Sequence, residues 1–230
     1  MLAGLLILNS VCQLEPAGAE FNLEYVRPAG DQFVLESTVT FQKTADGFLF
    51  QSVTHRSKEK MTLKLRWDPK HLLQRADLEQ ETAAGKQTAT ALFDKKTAVV
   101  KRPGQKDQQL TLAAEPVLAT TAPDWSDILL VLRRYDHKQG GKQQFAGLWF
   151  HPVKPPLGLT FAVEELGKDT ITAGDKKLTL GRYRVQLRSG AYLVWADGQG
   201  KVLKLMPPGQ PQGAVILKGQ EKTTAGLIGQ

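Results

Sequence analysis

From Glu20 to about Arg102 apolar and polar positions alternate with a period of two. "FVLESTVTF" places Phe33, Leu35, Val39 and Phe41 on one face, and Glu36, Thr38 and Thr40 on the other. "MTLKLRW" sets Met61, Leu63, Leu65 and Trp67 against Thr62, Lys64 and Arg66. Side chains of an extended chain point alternately to opposite faces, so this pattern predicts antiparallel strands with one buried and one solvated face. Turn residues punctuate them at Pro28 to Asp31, Ala45-Asp46-Gly47, Asp68-Pro69, Ala84-Gly85 and Pro103-Gly104. Such short spacing predicts consecutive hairpins, a meander.

The pattern then changes. Trp125, Ile128, Leu129 and Leu132 fall at i, i+3, i+4 and i+7, one apolar stripe on a helix. Thr121 and Asp124 have capping-box spacing, Pro123 suits the first turn, and Gly140-Gly141 follows the cations Arg133, Arg134 and Lys138. An amphipathic helix is therefore expected over 123–138. Beyond it the period of two returns. "RYRVQLR" sets Tyr183, Val185 and Leu187 against Arg182, Arg184, Gln186 and Arg188. "SGAYLVWADGQGKVLKL" is a hairpin turning at Asp197 to Gly200, with Trp195 just before the bend.

Two strand-rich halves around one striped helix are best buried if the helix lies on the concave side of a curved sheet. Roughly ten strands would be too many for a flat sheet. The expected fold is mainly β: a strongly curved antiparallel sheet, or unclosed β-barrel, with one amphipathic helix covering the concave face. A single domain is expected over 20–218, followed by a polar, flexible tail at 219–230.

The N-terminus carries the apolar run Leu2 to Leu8 and then Ala17-Gly18-Ala19, the order of parts in a secretory signal peptide cleaved before Glu20. No Lys or Arg precedes the run, which a start upstream of Met1 would explain. The run is shorter than a bilayer span, and Asn9 stands where a lipoprotein signal before Cys12 would carry a Leu-type residue. Export to the periplasm or medium is the expectation. Cys12, the sole cysteine of the chain, would leave with the signal, so no disulfide, thiolate nucleophile or cysteine metal site is expected in the mature protein.

The net charge is +7, and losing residues 1–19 removes one acid, Glu15, and no Lys or Arg. The basic residues are dispersed and not interleaved with aromatic platforms, so nucleic acid is not an expected partner. An anionic membrane surface is the alternative that the charge admits.

"GRYRVQLRSGAYLVWADGQGKVLKL" (181–205) resembles the closing strands of the periplasmic LolA/LolB-like half-barrel superfamily and its uncharacterised exported bacterial relatives. In them a Trp-containing strand, an Asp/Gly turn and a "G-x-V" strand close the sheet. The resemblance implies an unclosed barrel whose apolar concavity accepts a lipid, acyl chains or an acylated protein.

Chemistry is harder to find. His55, His71, His137 and His151 show no metal-binding spacing, although His55 and His71 could pair across strands. Ser126 and Ser189 sit in no nucleophile elbow. "GxGK" at 198–201 lacks the rest of a phosphate loop. Glu164 and Glu165, adjacent on a strand, point to opposite faces. No catalytic residue, metal or cofactor is expected, and the chain is read as a non-enzyme. The candidate ligand-binding residues are apolar: Trp67, Trp125, Leu129, Leu132, Trp149 and Trp195, with Phe33, Phe41, Phe48 and Phe50 as further inward candidates. Aromatic residues also fill ordinary cores. The alternative is therefore a structural or protein-interaction module with a solid core.

Overall fold

Fifteen strands form one sheet in the computed structural model, which describes residues 20–56, 58–121, 126–173, 176–187, 190–207 and 209–227. A first meander runs through β1 (Phe21–Ala29), β2 (Gln32–Thr44), β3 (Gly47–Arg56), β4 (Glu59–Trp67), β5 (Leu73–Thr82), β6 (Gly85–Asp94), β7 (Thr97–Lys101) and β8 (Gln108–Thr111). Next come β9 (Pro116–Thr120) and the helix α1 (Ser126–Leu132). A second meander follows in β10 (Lys142–Trp149), β11 (Leu157–Ala173), β12 (Lys176–Leu187), β13 (Gly190–Ala196), β14 (Val202–Met206) and β15 (Val215–Leu217).

The two meanders meet at a seam between β1 and β15, where Tyr25 faces Leu217 and Val26 faces Ile216. The free edges of the sheet are thus β8 and β9. Only residues 112–115 separate them in sequence, so the edges approach within roughly 17 Å. A sheet of this width whose edges lie so close must curl back on itself. The fold is an unclosed, mostly antiparallel β-barrel, as the alternating sequence predicts. One pair is parallel, β9 with β10. A parallel pair requires a crossover, and α1 lies within it.

Alternation places the expected residues inside: Met61, Leu63, Leu65 and Trp67 are all buried, as are Val39, Phe41 and Phe50. All of these but Met61 form the main core with Ile128, Leu129, Val131 and Leu132 of α1. A second apolar layer covers the opposite face of the seam strands. It contains Val26, Leu193, Trp195, Met206, Ile216 and Leu227. β13, β14 and β15 are consequently buried on both faces.

Three expectations are corrected. Phe33 and Leu35 do not share the inward face of Val39 and Phe41; they are 48% and 41% exposed. A bulge is the reason. Tyr25 pairs with Ser37 but Val26 pairs with Leu35, so Glu36 is an extra residue that reverses which face follows. Glu36, expected in solvent, is instead buried and ion-paired with Arg27 at 2.8 Å.

The helix is also shorter than 123–138 and not striped in its burial. It ends at Leu132, and every residue from Ile128 to Leu132 is buried. Arg134 N–H donates to Val131 O and Tyr135 N–H to Leu132 O, a tightened last turn. Asp136 then accepts from the Lys138 and Gln139 amides in a turn that takes the chain away. Residues 122–125, with Trp125 and with Pro123 and Asp124 of the expected start, lie outside the described residues.

The segment 219–227 is packed rather than loose. Thr224 and Leu227 are buried over the seam, and Lys204 Nζ donates to both of their carbonyls, at 3.0 and 2.7 Å.

Candidate functional site

The concave face ends in a row of rings. Phe21 opens β1 and pairs in register with Phe41 of β2; their rings stack at 5.6 Å. Phe41 stacks in turn on Phe48 of β3 at 5.9 Å, and Phe48 on His71 at 4.4 Å. The period of two produces this row, because cross-strand neighbours on one face sit within ring-stacking reach. His71 belongs to the β4–β5 turn and adopts a left-handed φ of 62°. Its backbone N–H donates to Asp68 O, and its carbonyl accepts from Arg134 at 2.8 Å. Phe41 is buried, whereas Phe21, Phe48 and His71 are half-buried, so the row is partly open to solvent.

Arg133, the first residue after α1, caps the row. Its guanidinium carbon lies 4.3 Å from the Phe21 ring centre and 5.4 Å from that of Phe41. Both are within cation–π range. Burial lowers the Arg133 pKa, with Tyr25 and Asp197 acting in the opposite direction. Burial likewise raises the pKa of Tyr25, against the pull of the Arg133 charge, and its hydroxyl donates to Val202 O at 3.0 Å. Nη1 of Arg133 is buried without a hydrogen-bond partner.

The other end of β3 is polar. His55 there pairs in register with Lys60, so it lies a strand's length from His71 and the two do not pair. A groove of about 560 Å³ opens beside it, lined by Arg27, Leu35, Arg56, Lys58, Glu59 and Lys60 among others.

Of the six residues expected to line a pocket, three meet in the core and two lie apart from them. Trp67, Leu129 and Leu132 belong to the main core, and Trp67 Nε1 donates to Val117 O at 3.3 Å, fastening β9 into the concavity. Trp149 is half-buried against His151 at 5.9 Å, its Nε1 buried and unpartnered. Trp195 faces away from the main core into the outer layer. Trp125 lies outside the described residues. Sequence reasoning passed over Arg133, although a signal existed: it falls at i+8 from Trp125, a cation on the apolar stripe itself.

No family model and no curated protein matches the sequence. Two solved structures are similar to it in fold. One is a DUF1089 family protein from Pseudomonas aeruginosa, with 18% identity over 80% of this chain and 92% of that one, at a TM-score of 0.49. The other is a beta-barrel-like protein of domain of unknown function DUF1849 from Brucella abortus, with 9% identity over 86% and 93% of the two chains, also at 0.49.

Proposed function

We propose that this is an exported cell-envelope protein that binds an elongated apolar ligand, a lipid or the acyl group of a partner protein, at the aromatic end of its half-barrel. The observation that carries the reading is the partly open row Phe21, Phe41, Phe48 and His71, capped by Arg133. Half-buried rings on a concave surface favour an apolar occupant. The resemblance of 181–205 to the LolA/LolB-like half-barrels supports the same ligand class, and the signal-like N-terminus supports export. Exposed Leu35, beside Arg56 and Lys58, favours an anionic membrane surface as the place of work.

One observation favours the solid-core interaction module instead: α1 buries all five residues from Ile128 to Leu132 where an internal cavity would have to open. In that reading partners add to the free edge of β8. Native mass spectrometry of protein purified from a bacterial envelope, with organic extraction, separates the two. The ligand reading expects a reproducible lipid adduct that Phe48→Asp removes from a protein with unchanged circular dichroism. A clean apo mass and no uptake of a fluorescent acyl probe would favour the interaction module.

A further inference from the structure

We infer that Arg133 receives the anionic oxygen head of an amphiphile whose chain lies along the aromatic row. The inference rests on the ligand-binding reading above and adds the chemistry of the head group.

Nη1 of Arg133 is shut off from solvent, and no acceptor among the described residues reaches it. A guanidinium stays charged in a protein. A buried N–H of this kind therefore carries a desolvation cost that only an acceptor relieves. The groups nearby do not supply one. Tyr25 donates its hydroxyl to Val202 O, and its oxygen accepts nothing from Nη1. Asp197 Oδ1 accepts the amides of Gln199 and Lys201 at 2.9 and 3.0 Å, holding its own hairpin, and acts on Arg133 only through its field.

Other cations that are buried or beside an acid have partners. Arg27 holds Glu36 at 2.8 Å, and Lys60 lies 3.9 Å from Glu81. Arg102 has a buried Nε without a partner, yet its other nitrogens hold Lys154 O and Gln108. Arg182, with a similar Nε, reaches Asp169 at 3.4 Å. Arg133 has rings in place of acceptors.

That environment selects a ligand. Phe21 and Phe41 occupy the face of the guanidinium, and its N–H groups point outward in its plane. In-plane donors in a fixed fork match a carboxylate or a phosphate. From Arg133 the rings continue through Phe48 to His71, an apolar track leading away from the charge. Phe21 and Phe48 are only half-buried, so a chain laid on them removes apolar surface from water. Charge at one end and rings beyond it describe an anionic amphiphile.

The test uses the whole chain, stripped of extractable lipid, and measures displacement of a fluorescent acyl probe by dodecanoate, dodecyl phosphate and dodecan-1-ol below their micelle concentrations. At least one anion is expected to bind roughly ten- to hundred-fold more tightly than the alcohol, the range for hydrogen bonds to a charged group. Arg133→Gln is expected to abolish that margin and leave the alcohol's affinity unchanged. Preference for dodecanoate or for dodecyl phosphate assigns the head, and either supports the inference. Equal affinity of all three for the unaltered protein overturns the role of Arg133 while the apolar-ligand reading stands. Binding of none overturns both. Should Arg133→Gln not fold, the head-group comparison on the unaltered protein decides alone.

Discussion

Trp195 Nε1 donates to Asp169 Oδ2 at 2.7 Å, joining β13 to β11 across the intervening strand β12. Arg182 of β12, the register partner of Trp195, approaches the other carboxylate oxygen at 3.4 Å. The indole is almost wholly buried on the outer face, so its N–H needs an acceptor there. Asp169→Ala leaves that donor unsatisfied and should lower stability by about 1–3 kcal/mol, with Asp169→Asn costing less because one acceptor remains. Urea unfolding followed by tryptophan fluorescence checks this; a loss below about 0.5 kcal/mol for Asp169→Ala would show the bond to be dispensable.

Lys204 is buried in the same layer, and burial holds its ammonium below the ordinary value of 10.5. Between that lowered value and 10.5 the unfolded chain binds more protons than the folded one, so this lysine makes stability rise with pH. Raised tyrosine pKa values act in the opposite sense at higher pH: Tyr25 is shifted upward, and Tyr183 is pushed up to about 12, each chiefly by burial. The effect of Lys204 is therefore the difference between the native protein and Lys204→Met. That difference should move in favour of the native protein as the pH is raised from 8 toward 10.5 in a series of thermal melts. A constant difference would refute it.

The bulge at Glu36 separates two leucine-like positions that the sequence pattern makes equivalent. Leu35→Ser should change stability by less than about 0.5 kcal/mol. Val39→Ser, which cuts into the main core, should cost about 2–4 kcal/mol. Equal costs would place Leu35 inside and refute the bulge at Glu36.

Gly47 closes the β2–β3 turn at a φ of 134°, and a Cβ there would run into the backbone of Trp67 and Asp68. Backbone cannot step aside as a flexible side chain can. Gly47→Ala should cost about 3 kcal/mol or more and disturb the adjoining Phe48 and His71. Gly30→Ala, also at positive φ but with open space around its Cβ, should cost no more than about 2 kcal/mol. Paired unfolding curves give the comparison.

Much of the fold was legible because alternation is a local property. "MTLKLRW" and "RYRVQLR" announce their inward residues without reference to any partner. The bulge was not legible, since it exists only in the register of β2 against β1. Nor was β9: "PVLAT" is short, and its parallel partner β10 arrives only after a helical crossover. The apolar runs of β13 and β15 did carry the signature of strands buried on both faces, although Lys204 interrupts β14 between them. The binding residues were misassigned for a related reason. Size and hydrophobicity single out Trp67, Leu129 and Leu132, but those are the properties of a core. The sequence shows Arg133 as a cation on an apolar stripe, but the lack of an acceptor for its Nη1 appears only once the strands are assembled around it.

The seam between β1 and β15 also orders the chain's folding in time. Glu24 and Lys218 meet across 194 residues, at 2.5 Å. As the chain emerges N-terminus first, one edge of β1 stays unpaired until the last strand of the sheet arrives to cover it. Until then the first meander exposes an unpaired edge with Tyr25 and Val26 along it, a template for pairing with another chain. Contacts of such range also slow folding itself. Until β15 docks, the chain is thus open to edge-to-edge pairing along β1, and a holding chaperone would act at that step.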